Sequence, residues 1–451
     1  LIQGNMGLRG PGDLVVDAAG NFYVGAMHSE NILKVSPDGT KTEIFHFTDV
    51  IVQPGTKGAI DRIAVDGMGN VYALVVHYEV DIDGDHTGLI GDFVFKIRPD
   101  GTVTEIIDET GDGAGNELEG IYGLTADDAG NAYVTGVKSR NAFKIAPDGT
   151  VTEIIDQTGA PGWGNSLGMP QDIAVDGAGN IYISSSSDGC PGTHNAFKVT
   201  PDGTVTEIIN ETGDGTGNCT QDCVCSGHAL ILPGTITVDG AGNVYVVGTA
   251  SDNVFKITPD GTVTEILNRC GASTGDPWSG VPCADLDTMN ASERGHVVVD
   301  DDSGTVYVVG GITNKIFVIT PEGEITEILG DGLSDGAGNH LETPRGIDRD
   351  DSGNLFVSGG PGHNVFKIAP DGTTTEILDQ MGVYTDATPF SSPSSIASDA
   401  AGNVYVAGRY SDNVFKIAPD GTLTEIIDAT GSAEPGTGAD TYLHEPMGIA
   451  V

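Results

Sequence analysis

Short runs of β-branched and aromatic residues alternate with glycine-rich turns along the whole chain. In residues 235–248 the runs TITVD and NVYVVG flank a Gly-Ala-Gly turn, and in residues 253–267 NVFKIT and TVTEIL flank Pro-Asp-Gly. Runs of this composition and length, bounded by turn residues, predict strands. One unit of about 55 residues therefore contains four short predicted strands, and no helix of ordinary length is needed.

This four-strand unit recurs eight times. The copies span approximately residues 12–45, 61–108, 123–156, 172–210, 235–268, 296–329, 346–379 and 395–428, and a partial further strand follows at 443–451. A small sheet with apolar residues on both faces cannot stand alone, so neighbouring copies must stack around an axis. We therefore predict one all-β domain over residues 1–451: a single eight-bladed β-propeller of four-stranded antiparallel blades.

The Pro-Asp-Gly turn leaves the register of the third and fourth strands open. A two-residue turn at Asp260 and Gly261 places Lys256 directly opposite Glu265. A type I turn with Gly261 in a bulge shifts that register by one residue. In both cases a charge that recurs in every blade indicates a structural role and not catalysis.

Strand direction divides the ends of each blade into two sides. We call the end with the strand 1–2 and strand 3–4 turns the turn side. The end with the strand 2–3 loops and the interblade connections is the loop side. The insertions at residues 77–92, 184–195, 210–234, 268–295 and 428–447 fall on the loop side. Binding groups usually reside in loops on a rigid scaffold, so the loop side is the candidate functional surface.

The chain carries 65 acidic and 20 basic residues, which gives a formal net charge of -45. Such a charge repels nucleic acid and anionic lipid, so we expect no nucleic-acid partner. No run approaches the roughly 18 apolar residues that span a bilayer, so we also expect no membrane insertion. The acidic surface suits a medium that contains calcium or much salt.

The six cysteines lie in loop-side segments of the central part of the chain and follow no zinc-ligand spacing. Disulfides that pin long loops explain them better, and this predicts an oxidising, extracellular or cell-surface location. Cys270 and Cys283 share one segment, but spacing alone does not fix the pairing. The six are Cys190, Cys219, Cys223, Cys225, Cys270 and Cys283.

The segment DIDGDHTGLIGD, residues 81–92, carries carboxylates at its first, third, fifth and twelfth positions: Asp81, Asp83, Asp85 and Asp92. This pattern resembles half of a calcium loop, because Ca²⁺ takes six to eight oxygen ligands from a flexible turn. His86 stands where such loops have glycine. We predict Ca²⁺ here, with a solvated acidic loop as the alternative.

Two further sets of side chains are candidates for binding. Asp112 and Asn116, in the glycine-rich segment TGDGAGN, are second-tier calcium ligands, although the same residues also make tight turns. Trp163 and Trp278 lie in interblade segments, where they could contact a sugar or a protein, or hold the loops to the blades. Arg349 interrupts the apolar pattern of an inner strand and could line a polar channel or form a structural ion pair.

The string LETPRGIDRDDSGNLFV, residues 341–357, and the repeated Asn-Val-Phe-Lys-Ile resemble NHL-type propeller repeats and the related streptogramin lyase and gluconolactonase propellers. The resemblance covers nearly the whole chain and implies a propeller. It is weak for activity, because one such fold serves many functions. The related lyases and lactonases use acidic or histidine groups around the channel mouth, and no matching motif is found here.

Two functions remain open, and the first is favoured. One is a secreted or cell-surface binding and structural module that calcium stabilises, with a protein or glycan partner on the loop side. The other is a metal-dependent lyase or lactonase at the mouth of the central channel. The strand at 443–451 also suggests self-assembly through strand pairing with a neighbouring molecule.

Overall fold

The computed structural model describes residues 11–51, 53–81, 86–160, 166–186, 194–215, 217–219, 225–226, 229–269, 283–284, 296–300, 303–310, 315–329, 340–341, 344–350, 352–359, 362–379, 393–399, 401–408, 411 and 413–427. The terminal segment 443–451 lies outside these residues. Within them, no helix is long and apolar enough to cross a membrane.

Each of the first four sequence repeats forms one sheet. Blade one contains β1 (Pro11–Val16), β2 (Phe22–Ala26), β3 (Asn31–Val35) and β4 (Lys41–His46), followed by the one-turn helix α1 (Phe47–Val50). Blade two contains β5 (Thr56–Val65), β6 (Val71–Val80), β7 (His86–Ile97) and β8 (Val103–Ile107). Blade three contains β9 (Ile121–Ala126), β10 (Ala132–Gly136), β11 (Asn141–Ile145) and β12 (Val151–Ile155). Blade four contains β13 (Met169–Val175), β14 (Ile181–Ser186), β15 (Asn195–Val199) and β16 (Val205–Ile209).

Each of the last four sequence repeats also forms one sheet. A separate strand pair, β17 (Asn218–Cys219) and β18 (Cys225–Ser226), precedes blade five, which contains β19 (Pro233–Val238), β20 (Val244–Gly248), β21 (Asn253–Ile257) and β22 (Val263–Arg269). The strand β23 (Cys283–Ala284) adds to β22 in parallel. Blade six contains β24 (His296–Val299), β25 (Val306–Gly310), β26 (Lys315–Ile319) and β27 (Ile325–Leu329). Blade seven contains β28 (Pro344–Arg349), β29 (Leu355–Gly359), β30 (Asn364–Ile368) and β31 (Thr374–Leu378). Blade eight contains β32 (Pro393–Ser398), β33 (Val404–Gly408), β34 (Asn413–Ile417) and β35 (Leu423–Ile427).

Every blade is an antiparallel sheet whose strands pair in chain order. The predicted class, an all-β propeller of eight four-stranded antiparallel blades, is confirmed. Among the described residues α1 is the only helix. The strands form where the sequence places β-branched and aromatic residues, because these side chains pack well on a pleated surface.

The chain divides into two compact units. One comprises residues 1–109, 128–130 and 334–451 and holds blades one, two, seven and eight. In it, first strands pack side by side: β28 on β32, β32 on β1, and β1 on β5. Phe22 of blade one stacks on Tyr405 of blade eight, with ring centroids 5.1 Å apart. The first and last repeats are therefore direct neighbours.

The other unit comprises residues 110–127 and 131–333 and holds blades three to six. Its first strands pack in the same way, with β9 on β13, β13 on β19, and β19 on β24. Apolar side chains of adjacent blades interdigitate between the sheets, as where Phe197 of blade four and Tyr133 of blade three share one buried cluster. In both units the cores thus lie between blades, as expected for sheets that are apolar on both faces.

The structure resolves the open register of the strand 3–4 turn. Phe255 lies opposite Glu265 and Lys256 opposite Thr264, with a register shift between Val254 and Phe255. Gly261 has a φ of +86°, a backbone conformation that side chains rarely adopt. The turn is therefore the bulged form, and in the seven blades that carry this lysine it faces a threonine and not the glutamate.

Candidate functional site

On the turn side, one aspartate in each blade closes the strand 1–2 turn. Asp66 accepts hydrogen bonds from the amides of Met68 and Asn70, from Asn70 Nδ2 and from Tyr72 Oη, at 2.7–3.0 Å. In the other blades with the full Asp, Asn and Tyr set, the aspartates Asp17, Asp127, Asp176, Asp239 and Asp399 accept from the corresponding Asn and Tyr. The hydrogen bonds that close these turns therefore occupy the aspartate carboxylates.

A lysine from the third strand covers the same tyrosine. Lys256 Nζ lies 5.5 Å from the centroid of the Tyr245 ring, and the arrangement recurs in other blades. In blade two the contact is closer: Lys96 Nζ donates to Tyr72 Oη at 2.7 Å and lies 4.0 Å from Asp66. Burial lowers the pKa of Lys96. The turn side is thus a repeated structural network.

The second-tier calcium ligands, Asp112 and Asn116, form a turn of the same kind. Asp112 accepts from the amide of Ala114 at 2.8 Å and from Asn116 Nδ2 at 2.7 Å. These hydrogen bonds lower the pKa of Asp112. A calcium ion at this pair would have to compete with the bonds that close the turn.

The loop-side end of blade two departs from the repeat. Strands β6 and β7 are ten and twelve residues long, whereas the equivalent strands of blade five have five each. They form a hairpin whose last pair is Val80 with His86. Two bulges twist it, with Ile90 and Thr87 of β7 as the extra residues opposite residues 77–78 and 79–80 of β6. What the sequence suggested as a loop insertion at residues 77–92 is therefore largely sheet.

This hairpin corrects the predicted calcium loop. Residues 86–92 are strand, so a twelve-residue loop from Asp81 to Asp92 is not formed. Asp92 is buried and lies opposite Val76 of β6. Asp81 follows Val80, which is four residues or about 13 Å further along β6, so Asp81 and Asp92 are at different levels of the hairpin. Asp81 is exposed at the tip. Asp83 and Asp85 lie outside the described residues, so calcium at the tip stays a prediction.

A buried histidine supports the base of the hairpin. His77 is 2% exposed and packs between Phe47 and Phe93, with ring centroids 5.0 and 5.8 Å from its own. Neither ring nitrogen has a hydrogen-bond partner among the described residues. Gly58 lies opposite His77, and a Cβ on it would be 2.4 Å from the Phe47 ring. Burial lowers the pKa of His77, so the neutral form is favoured.

A glutamate of blade one contacts β5, the strand that lies beside the base of the hairpin. Glu30 accepts a hydrogen bond from the amide of Gly58 at 3.1 Å. Burial raises the pKa of Glu30 and, with the nearby Glu30 charge, raises the pKa of Tyr78 to about 12. Glu30 has a φ of +60°, as do residues at the same position in other blades, so its backbone belongs to the repeat. Its carboxylate, through the bond to Gly58, joins blade one to blade two.

Buried carboxyls also connect inner strands. Asp13 accepts from the amide of Ile63 at 2.8 Å and from its neighbour Leu14 at 2.9 Å, which ties β1 to β5. Burial raises the pKa of Asp13 to about 7, although the two amides and Arg62 act in the opposite direction. In blade seven, Asp348 accepts from Ser398 Oγ at 2.6 Å, and burial raises its pKa to about 6.

The remaining predicted residues are placed as follows. Arg349 is half-buried at the turn-side end of β28, with its guanidinium near Gly353. Cys219 lies directly opposite Cys225 in the β17–β18 pair, and Cys283 lies opposite Asn268. Trp163, Trp278, Cys190, Cys223 and Cys270 lie outside the described residues. Disulfide pairing and ligand contact at these positions therefore stay predictions.

No three His, Cys, Asp or Glu side chains are grouped as ligands of one ion in the part of the chain that the structure describes. A shallow polar cavity of about 330 Å³ lies between β16 and the β21–β22 turn. Glu207 lines it and accepts from Asn195 Nδ2, and burial raises the pKa of Glu207. Equivalent Asn–Glu bonds occur in blades three and five, so this carboxylate follows the repeat.

Three residues that shape the candidate site were not singled out from the sequence: Asp13, Glu30 and His77. Asp13 and His77 carry a signal, because each places a polar side chain inside an apolar run, GDLVVD or VYALVVHYEV. Glu30 carries no such signal in the sequence, because its partner, the amide of Gly58, is brought to it only when blades one and two pack together.

Comparison with known proteins finds similar solved structures but no family. No family model matches the chain, and no curated protein matches it. Among solved structures it is similar to a streptogramin B lyase, with 15% identity, coverage of 93% of this chain and 95% of that one, and a TM-score of 0.47. It is also similar to virginiamycin B lyase from Staphylococcus aureus with quinupristin, with 17% identity, 81% and 96% coverage, and a TM-score of 0.48.

A third similar structure is an auxiliary nutrient binding protein from Bacteroides thetaiotaomicron, with 11% identity, 80% and 95% coverage, and a TM-score of 0.37. The similar structures thus include streptogramin lyases, which the repeats of this chain were expected to resemble. The function is argued below from the residues of this chain.

Proposed function

We propose that this protein is a secreted or cell-surface binding module whose protein or glycan partner docks on the loop side, with the β6–β7 hairpin as its principal contact. One observation carries the proposal. At the turn-side end of blade two the polar groups that recur in other blades close their own turn, whereas at the loop-side end the blade extends into a hairpin that the repeat does not require. Added structure on a rigid scaffold is where binding groups usually lie.

The hairpin is supported as a rigid element. Phe47, His77 and Phe93 pack at its base, and the amide of Gly58 is held by Glu30. A supported element can present a contact surface at a smaller entropic cost than a free loop. The exposed Leu89, with 53% of its surface accessible, provides an apolar contact on this element.

To test the partner surface, residues 79–88 would be replaced by Asn-Gly, which joins Tyr78 to Leu89 by the two-residue turn typical of hairpins. Immobilised wild-type and shortened proteins would be exposed to secreted and cell-surface material of the source organism, and captured molecules identified by mass spectrometry. We expect a partner that wild type retains and the shortened protein loses. Equal capture by a folded shortened protein would contradict the proposal.

Calcium at the hairpin tip is a separate part of the proposal. Asp81, Asp83 and Asp85 supply three carboxylates within five residues, the oxygen chemistry that Ca²⁺ prefers. Calorimetric titration would compare wild type with the D83N/D85N variant, and D112N would serve as a control in a glycine-rich turn. We expect calcium binding and a higher melting temperature in wild type and D112N, and neither in D83N/D85N. Unchanged binding in D83N/D85N would overturn the calcium site.

The lyase or lactonase alternative has one supporting observation, the inner-strand carboxyl of Asp13, whose pKa burial raises to about 7. A general acid or base needs such a value near the working pH. Both Asp13 oxygens, however, already accept hydrogen bonds from backbone amides, one from Leu14 of the same strand and one from Ile63, which ties β1 to β5. The binding module is therefore the better supported function.

A further inference from the structure

Asn210 directly follows β16, the last strand of blade four, and begins the sequence Asn-Glu-Thr. Asn-X-Ser/Thr, with X other than proline, is the sequence to which oligosaccharides are attached in secreted proteins. Thr212 is exposed and Asn210 is half-buried, in the connection that leaves β16 on the loop side. The acceptor sequence therefore lies in a surface turn and not inside a strand.

The two residues that the acceptor sequence requires are in contact. The amide and the hydroxyl of Thr212 both donate hydrogen bonds to Asn210 Oδ1, at 3.0 and 2.7 Å. The oxygen of this side chain thus closes the turn. Within the described residues its Nδ2 makes one long hydrogen bond, which it donates to Glu207 Oε2 at 3.4 Å. An asparagine Nδ2 carries two hydrogens, so it can keep this bond and exchange the other hydrogen for a sugar.

The turn itself does not need an amide at this position. In blade three, Asp156 follows β12 and accepts the amide and the hydroxyl of Thr158, at 2.8 and 2.5 Å. Blade two has Asp108 at the equivalent position, in the sequence Asp-Glu-Thr. A carboxylate therefore closes this turn as well as an amide does. Of the three residues, only Asn210 has a side-chain nitrogen to which a sugar can be attached.

Space for the first sugar lies beside Asn210. The shallow polar cavity of about 330 Å³ between β16 and the β21–β22 turn is lined by Asn210, Glu207 and Asp214, and by the glycines Gly213 and Gly215 of the following turn. The glycines have no side chain to obstruct a ring, and the carboxylates can accept hydrogen bonds from sugar hydroxyls. A sugar on Asn210 would therefore enter a polar groove without displacing the apolar core.

From the turn, the long Nδ2 hydrogen bond and the adjoining cavity we infer that Asn210 is an N-glycosylation site. Its Nδ2 forms a bond to the first carbon of a lipid-linked oligosaccharide. The bond between that carbon and the lipid phosphate breaks, the phosphate leaves with the electron pair, and Nδ2 gives one proton to a base of the transferring enzyme. Secretion brings the chain to this enzyme and its donor, so the inference rests on the location given in the proposed function.

Peptide mapping of the protein from its source organism tests the inference. Cleavage before aspartate yields peptide 202–213, in which Asn210 is the only asparagine, and places the acceptor sequence at Asn218 in the separate peptide 214–221. We expect the mass of peptide 202–213 to be raised by an oligosaccharide, with fragment ions that locate the sugar on Asn210. Recovery of this peptide only at its unmodified mass would overturn the inference.

Variants produced in a eukaryotic secretion host locate the acceptor. T212A should lose the glycan, whereas T212S keeps a hydroxyl and should retain it. N210D keeps an oxygen for the turn, as Asp156 does in blade three, and should lose the glycan while the protein stays folded. A glycan on peptide 202–213 of N210D would contradict the assignment.

D156N is the matched control for the host, because it creates the acceptor sequence Asn-Gln-Thr in the same turn at an exposed position. We expect a glycan at position 156 of D156N as well as at position 210. A glycan at position 156 with none at position 210 of the same molecule would mean that blade four prevents transfer, and the inference would be wrong.

The outcomes separate this inference from the proposed function. If peptide 202–213 is unmodified but the hairpin-shortened protein loses a natural partner, the glycan is wrong and the binding module stands. If Asn210 carries a glycan in the natural protein while shortening the hairpin changes no natural capture, the modification stands and the proposed contact surface fails.

Discussion

At the turn-side end of blade two, Asp66 accepts four hydrogen bonds from its own turn, whereas at the loop-side end His77 is buried with no hydrogen-bond partner among the described residues. The first end is repeated in other blades and the second is not. Where a sequence repeats, its polar groups satisfy one another locally. Where it departs from the repeat, polar and apolar groups are available for a purpose other than the fold.

The inner strands provide the largest expected effect with which to test this comparison. Burial raises the pKa of Asp13 from 3.8 to about 7, so the folded protein binds this proton more tightly than the unfolded chain. The stabilisation is fully present below pH 3.8 and is lost as the pH rises through 7. At about 1.4 kcal/mol per pKa unit, it amounts to at most about 4 kcal/mol.

The D13N variant removes this titration. Between pH 4 and 8, its free energy of unfolding should change less with pH than that of wild type, as measured by denaturant unfolding. Asp348, with a pKa raised to about 6, should add a smaller slope of the same sign. An identical pH profile for D13N and wild type would show that Asp13 is not the buried acid described.

The turn network gives the next effect. In D66A, Asn70, Tyr72 and Lys96 lose a buried acceptor, and we expect a loss of about 3 kcal/mol in the free energy of unfolding. D399A is the matched control, because Asp399 makes the same bonds at a more exposed site and, among the residues that the structure describes, no lysine donates a hydrogen bond to its tyrosine. A larger loss in D399A than in D66A would contradict the role of burial.

A smaller effect of opposite sign is expected at the loop-side end. Replacing His77 by Leu removes two buried nitrogens without partners and should stabilise the protein by about 1 kcal/mol at pH 7. The pKa of His77 is lowered, so its stabilisation is present above pH 6.5 and declines as the pH falls through the folded value.

H77L should therefore gain most over wild type at low pH. Thermal unfolding at pH 5, 6 and 7 measures this, and exchange of residues 77–92 reports whether the hairpin itself responds. A destabilised H77L at pH 5 would mean that the imidazole has a partner, such as a bound water, that the leucine cannot replace.

The register of the strand 3–4 turn predicts the smallest effect. Asn253 Nδ2 donates to Glu265 at 2.9 Å, whereas Lys256 faces Thr264. A double-mutant cycle should give a coupling of about 1 kcal/mol for Asn253 with Glu265 and close to zero for Lys256 with Glu265. A strong Lys256 coupling would favour the two-residue turn.

The fold was predictable because eight copies of one pattern reinforce each other. Turn residues, β-branched runs and period-two alternation agree in every copy, which leaves a stacked four-stranded sheet as the consistent solution. The Pro-Asp-Gly register was not predictable, since Asp260 and Gly261 suit both turn types. The register shift between Val254 and Phe255 decides between them.

The candidate site was predictable in position but not in detail. Insertions pointed to the loop-side end of blade two, yet the spacing of Asp81 and Asp92 suggested a calcium loop where the chain forms a strand. Residues HTGLIGDFVF carry enough β-branched and aromatic character to extend the hairpin, and this outweighs the acidic spacing. The contacts of Glu30 and His77 depend on how two blades pack, which no local pattern encodes.

The central claim is that the loop side, and not the turn side, binds the partner. Leu89 and Met68 are exposed apolar residues at opposite ends of blade two, 53% and 55% accessible, so a photo-cross-linking amino acid can replace either with little cost. With secreted and cell-surface material of the source organism, we expect cross-linked partner at position 89 and none at position 68. Cross-linking of the same partner at position 68 but not at 89 would contradict the account.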